Sequence, residues 1–375
     1  MSLHDGRKRP TQAMLVTCLA TTVLLTVSVG YCGKRPASVR APARKRVKPA
    51  RPTEHVSPAP EANANAVIWR TPQPPMNLQA GDIWVNPKDG MEMVYVPPGE
   101  FTLGTSDQQA EKWLKEYPTF RSYWFSPEQP QCRVRLPGYW IGRTEVTNAQ
   151  YHRYLEATAR EKQYWKLLGW RLGEGEVPPD MRQLPVVGVA VEGAREYSVW
   201  AGGRLPSELE WEKAARGTDG RTFPWGDQWD PNRCQHLGVV DGEGQAAVPE
   251  FPTELTPELG RWERSHVGWR DGPAKVGSYP AGASPYGCLD MAGNAWEYCS
   301  ELYEEDAYRR YARGDFSRPY LGKRFLLRGG AWYFAHPYAF RCAWRSGSDQ
   351  EWVQVDGIGF RYVVDGTPVR VGAAE

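Results

Sequence analysis

What this chain of 375 residues lacks narrows its chemistry first. Its seven cysteines form no CxxC pair, so neither a tetrahedral zinc site nor a thioredoxin-like motif is indicated. GxSxG, P-loop and GxGxxG motifs and a Ser-His-Asp order are all missing, so no familiar catalytic apparatus is visible. Histidine is scarce, and His152, His236, His266 and His336 are scattered instead of clustered at metal-ligand spacing. Neither sign of charge is in excess: the formal net charge of +2 makes no whole-protein case for nucleic acid, which is not expected as a partner. There is no internal repeat, and only one long apolar run.

That run extends from about Ala13 to Tyr31 and follows a basic stretch, residues 1–12, that carries Arg7, Lys8 and Arg9. Residues 13–31 read as a signal peptide or membrane anchor, just long enough to span a bilayer. Val29-Gly30-Tyr31-Cys32 resembles a lipoprotein cleavage site, although Tyr31 is large for its position. Residues 33–75, rich in Pro, Ala, Arg and Lys, read as an extended tether. The expected location is the cell envelope, with the membrane contacted through the amino-terminal segment. More positive charge follows the apolar run than precedes it, which leaves the orientation open.

What the chain has in abundance is aromatic residues, with 17 Trp and 19 Tyr, together with 38 Gly and 32 Pro. This describes a loop-rich fold stiffened by aromatic packing. The globular part spans residues 82–364, followed by a tail, 365–375. Met93–Val96 and Tyr139–Gly142 read as short strands. Thr147 with Gln150, and Ser207 with Glu210, are capping boxes that open helices reaching about Thr158 and Gly217. Between them, Glu192–Ala201 reads as a helix stopped by Gly202-Gly203. The fold class is α+β, with few helices and long irregular connections. Beyond Cys18 and Cys32 remain Cys132, Cys234, Cys288, Cys299 and Cys342, an odd number. Export would permit one or two disulfides, with connectivity open.

Several blocks follow one another in a recognisable order: Val94–Gly104, Ile141–Tyr151, Gly203–Gly217 with Phe223-Pro224-Trp225-Gly226, Tyr286–Tyr298, Arg328–Trp332, Arg341–Ser346 and Gly359-Phe360-Arg361. Together they resemble the formylglycine-generating, or sulfatase-modifying-factor, family. The resemblance implies a variant of the C-type-lectin-like fold. It also implies a structural calcium ion held by Asp290, the carbonyls of Gly293 and Ala295, and Glu297; hard oxygens in one tight turn suit that ion. A second family calcium site, between Asn232 and Val276, is poorly matched, with Gln235 and Asp271 as candidates. Arg204, Arg328, Arg345 and Arg361 are expected as buried forks bonding main-chain carbonyls, and Trp200, Trp211, Trp225, Trp296 and Trp332 as core.

The family's enzymes oxidise a substrate cysteine with O₂ through two copper-binding cysteines. Here the corresponding segment, Tyr333–Phe340, has none: Phe334 and Ala339 stand at the two positions, so no copper is expected. Cys342 matches a structural cysteine whose usual partner position is Ser198; it pairs with Cys299 or stays free. Catalytic residues are therefore not assigned. The resemblance places Tyr333–Phe340 along a groove, which makes Tyr333, Phe334, His336 and Tyr338 the expected binding face for a protein, peptide or glycan. The favoured reading is an envelope-associated binding or scaffold module inactive in formylglycine formation. The alternatives are an oxidoreductase of the family and a retroelement-diversified ligand-binding protein.

Overall fold

The computed structural model describes residues 67–71, 78–118, 120–159, 177–237, 272–317, 322, 324–349 and 357–366. The basic leader, the apolar run, Cys18, Cys32, most of the tether, His266, Asp271 and the end of the tail lie outside these residues.

In chain order the elements begin with β1 (Ile68–Trp69), β2 (Ile83–Val85), β3 (Glu92–Val96), β4 (Gly99–Leu103) and α1 (Asp107–Glu116). A 3-10 segment (Ser122–Glu128) precedes β5 (Cys132–Leu136) and β6 (Tyr139–Gly142). Three helices follow: α2 (Asn148–Ala157), α3 (Val191–Trp200) and α4 (Glu208–Arg216). The last part holds β7 (Trp296–Leu302), α5 (Ala307–Tyr311), β8 (Arg324–Arg328), a 3-10 turn (Pro337–Phe340), β9 (Arg345–Asp349), β10 (Ile358–Gly359) and β11 (Val363–Asp365).

One sheet runs β1-β2-β3-β6-β11 and a second β10-β7-β8-β9; β4 and β5 make a separate ribbon. The pairs β1/β2 and β10/β7 are parallel and the others antiparallel. Strands β3 and β6 lie in the middle of the first sheet, which is why Val94, Val96, Tyr139 and Ile141 on one face and Met93 and Trp140 on the other are all buried. The expected strand at Tyr139–Gly142 and the helices opened by Thr147 and Ser207 are present with both capping boxes formed. Gly217, at φ +73, ends α4 where an L side chain would be strained.

Helix α1 was not anticipated. Ser106 and Gln109 make the same reciprocal cap that marks α2 and α4. With the 3-10 segment after it, α1 forms a cover over the carboxy-terminal third. Glu128 fastens this cover: its carboxylate accepts from Thr105 Oγ1 at 2.6 Å and from both Arg341 terminal nitrogens at 2.7 Å. Rings from the cover meet the 3-10 turn directly. Tyr117 and Phe120 lie 4.8 and 5.1 Å from the His336 ring, and Phe120 and Phe125 lie 5.2 and 5.5 Å from Tyr338. The Tyr338 hydroxyl donates to the Trp124 carbonyl at 3.0 Å.

This arrangement corrects the expectation of an exposed face. Tyr333, Phe334, His336 and Tyr338 keep only 4, 6, 2 and 0% of their surface exposed. His336 and Tyr338 pack under the cover, whereas Tyr333 lies against Trp332 and Phe334 against Trp296 and Trp344, so each ring removes apolar area from water.

Candidate functional site

Strand β8 leads into Tyr333–Phe340, the segment that the resemblance sets against the family's cysteine pair. Arg328 ends that strand, and Gly330, at φ +76, turns the chain so tightly that a β-carbon there would meet the Ala339 carbonyl at 2.5 Å. The Phe334 ring stands edge-on to Trp296 and Trp344, at 5.7 and 5.5 Å. His336 caps the following turn by accepting the Tyr338 N–H on Nδ1 at 3.1 Å. Burial, aided by the Arg341 charge, pushes the His336 pKa down to about 3, so its ring is neutral at ordinary pH. Ala339 is buried in the same cluster. The locus offers apolar surface and one neutral imidazole that already serves a main-chain cap.

The described cysteines, Cys132, Cys234, Cys288, Cys299 and Cys342, are all free. Cys299 and Cys342 share one core cluster, and burial lifts the Cys342 thiol to about 12 and the Cys299 thiol well above its usual range. Neither is a ready thiolate. Ser198 bonds its own helix, Oγ donating to the Ala194 carbonyl at 2.7 Å.

Arg328, Arg345 and Arg361 are buried forks on main-chain carbonyls, with carboxylates added, whereas Arg204 departs from that expectation. Arg328 donates to the carbonyls of Cys342, Ala343 and Trp344 and to Glu212, which also accepts from Arg216, the Tyr308 hydroxyl and the Gly104 N–H. Arg345 joins Glu208 through two bonds of 2.6 and 2.9 Å. Arg204 is half-exposed and forks onto Glu210. Trp211, Trp296 and Trp332 are buried, whereas Trp200 and Trp225 are half-buried.

The second locus is the loop Asp290–Glu297. Asp290 and Asn294 both adopt left-handed backbone, at φ +55 and +62, which few side chains tolerate. Asp290 Oδ2 accepts from the Gly277 N–H at 2.6 Å. Asn294 ties the loop outward, its Oδ1 accepting from Ala274 N and its Nδ2 donating to Glu145 Oε1 at 3.0 Å. The Glu297 carboxylate, expected to face an ion, is gripped by Arg361 through two bonds of 2.6 Å and by the Trp211 indole at 2.7 Å. Burial, with the neighbouring acids, raises the Asp290 pKa to about 6 and lifts that of Glu145 well above the usual carboxylate range. Gln235, a candidate for the second ion site, instead donates to the Gly272 carbonyl and accepts from the Tyr279 hydroxyl. Among the described residues no three His, Cys, Asp or Glu side chains converge on one point. An ion in this loop would therefore need main-chain or amide oxygens besides its carboxylates.

Two residues escaped the sequence reading. Glu145 lies inside the Ile141–Tyr151 block, and its signal was an acid wedged between β6 and the α2 cap, where a solvated side chain has little room. Glu212, on the buried side of α4, becomes the hub of an ion-pair network because α4 is covered on every side.

Fold and loci together define a class, the lectin-like scaffold built around the arginine-glycine and asparagine-tryptophan blocks. More particularly, the chain belongs to the sulfatase-modifying factor enzyme 1-like domain family, whose model matches residues 79–366. It is 28% identical over 324 residues to the formylglycine-generating enzyme of Bos taurus, covering 75% of this chain and 77% of that protein. It is 32% identical over 246 residues to the hercynine oxygenase of Mycolicibacterium thermoresistibile, and 31% over 253 to the serine/threonine-protein kinase Pkn1 of Chlamydia trachomatis. These matches take in 57 and 64% of this chain but only 48 and 33% of those relatives' lengths. Among solved structures, PvdO from Pseudomonas aeruginosa superimposes with a TM-score of 0.52 at 22% identity, over 77% of this chain and 99% of that one, and this similarity concerns the fold alone.

Proposed function

We propose that this protein is an envelope-associated binding or scaffold module that keeps the family scaffold without the formylglycine chemistry. One observation carries the reading: Phe334 and Ala339, which the resemblance sets at the positions of the copper-binding cysteines, are buried, Phe334 against Trp296 and Trp344 and Ala339 in the same core cluster. A peptide thiol would have to displace that packing to reach the locus. The apolar run at 13–31 and the tether after it support attachment at the envelope. The calcium reading of the Asp290–Glu297 loop belongs to the same proposal: its buried acids suit a hard cation, which would tie the loop together instead of taking part in chemistry. Purified protein is expected to leave a cysteine-containing sulfatase-type peptide unmodified under O₂ and copper. Mass-spectrometric detection of the aldehyde product would overturn the proposal and favour the oxidoreductase reading.

A further inference from the structure

Helix α1 and residues 222–229 border an open cleft. Its floor is aromatic: Trp113 and Tyr117 come from α1, Phe223 and Trp229 from the facing turn. Packing behind the floor holds it rigid. The Trp229 ring stacks on Phe340 at 5.2 Å, Phe223 stacks on Trp225 at 5.4 Å, and Trp113 stands edge-on to Tyr338 at 6.2 Å. Tyr117 and Trp229 nonetheless stay half-exposed, so ring surface is left to water here. The Trp225 indole N–H donates to the Gln228 carbonyl at 2.9 Å. Those of Trp113 and Trp229 have no partner among the described residues and are not sealed from water.

The rim sorts the possible ligands. Helix α1 contributes Gln109, Lys112 and Glu116, and the opposite side contributes Asp227 and Gln228. Gln109 and Asp227 are fixed in place: Gln109 Nε2 donates to the Gly220 carbonyl at 2.9 Å, and Asp227 Oδ1 accepts from the Thr222 N–H and hydroxyl, each at 2.9 Å. Two carboxylates repel an anion, and Lys112 opposes a cation. Donors and acceptors side by side suit a neutral molecule with hydroxyl groups, each of which does both. A proline-rich peptide would also lie on aromatic rings. Its backbone is short of N–H groups, however, and would leave the carboxylates unmatched. Only about 50 Å³ of the cleft is open to water, well below the roughly 300 Å³ of a site that engulfs a small ligand. The ligand therefore lies across the cleft and extends beyond it.

We propose that this cleft binds a neutral oligosaccharide. One sugar ring lays its C–H face on Tyr117 and Trp229, whose electron-rich faces attract it, and its hydroxyls bond the rim. The inference rests on the binding-module reading and names the ligand class; it moves the binding face from the closed 333–340 segment to the opening beside it.

The test is calorimetric titration of the full-length protein, in a detergent without a sugar headgroup, with cellohexaose, chitohexaose and maltohexaose. These neutral hexasaccharides differ in linkage and substituents, and at least one should bind. The double change Lys112→Ala with Gln228→Ala should weaken that binding by more than about tenfold. Its Tm should equal that of wild type, because both side chains are exposed. Trp229→Phe keeps a ring against Phe340 but loses the indole N–H, and should weaken binding about three- to tenfold. Binding of none of the three sugars, wild-type affinity in both variants, or tighter binding of a decaproline peptide overturns the inference and leaves the binding-module reading standing. Aldehyde formation on the sulfatase-type peptide overturns that reading whatever the sugars do.

Discussion

At the scale of single residues, burial decides what each titratable group can do. His336 is neutral because both the apolar surroundings and Arg341 oppose its protonation. With a folded pKa near 3 and an ordinary unfolded value of 6.5, the unfolded chain alone takes up the proton between those limits. This group therefore removes stability as pH falls below about 6.5 and has no effect above it. From pH 7 to pH 5 wild type should lose about 2 kcal/mol relative to His336→Asn, by denaturant titration of both proteins. A difference that does not change with pH would mean the imidazole is hydrated. Glu212 is the opposite case, a charge fully buried but paired with Arg216 and Arg328. Glu212→Gln leaves Arg216 without a carboxylate and Arg328 with only the more distant Glu208, and should cost about 3–5 kcal/mol. The exposed Glu100, salt-bridged to Arg133 and Arg135, should tolerate the same change to within about 1 kcal/mol.

At the scale of elements, legibility followed the local signal. The α2 and α4 starts could be read because Thr147 and Ser207 precede strongly patterned segments, and the strand Tyr139–Gly142 because it is apolar throughout. Helix α1 carries an equally good cap but buries only Ala110 and Trp113, so its apolar stripe is too thin to read without its partners. The error over Tyr333–Phe340 followed from this. Exposed and buried aromatics look alike in a sequence, and the rings that cover His336 and Tyr338 lie more than 200 residues earlier. The buried acids were half legible: Asp290 and Glu297 sit in a recognisable block, but the preference of Arg361 for Glu297 is set by tertiary packing. Two changes probe the cover. Ser106→Ala should cost about 1 kcal/mol of global stability through loss of the cap. Glu128→Gln, which leaves Arg341 buried and unpaired, should cost about 3–5 kcal/mol and expose the Tyr117–Phe120 stretch to limited proteolysis. Resistance equal to wild type would show the cover is held mainly by its rings.

At the scale of the whole domain, the first sheet gathers distant parts of the chain: β1 forms one edge and β11, from the other end of the described chain, forms the opposite edge. The two edges are unequally secured. Strand β1 pairs through two residues, helped by the Val67 N–H on Asp82 and the Trp84 indole on the Thr71 carbonyl, while β11 pairs over three residues with β6 and bonds Arg204 as well. Deleting residues 1–77 should therefore lower the Tm by only a few degrees, by calorimetry; collapse of the fold would show β1 to be a keystone. The same inequality has a mechanical consequence. Any pull transmitted by the chain ahead of Val67 reaches the domain through that two-residue edge. Under tension the edge yields before the longer ladders, and slack is paid out while the rest of the sheet remains folded.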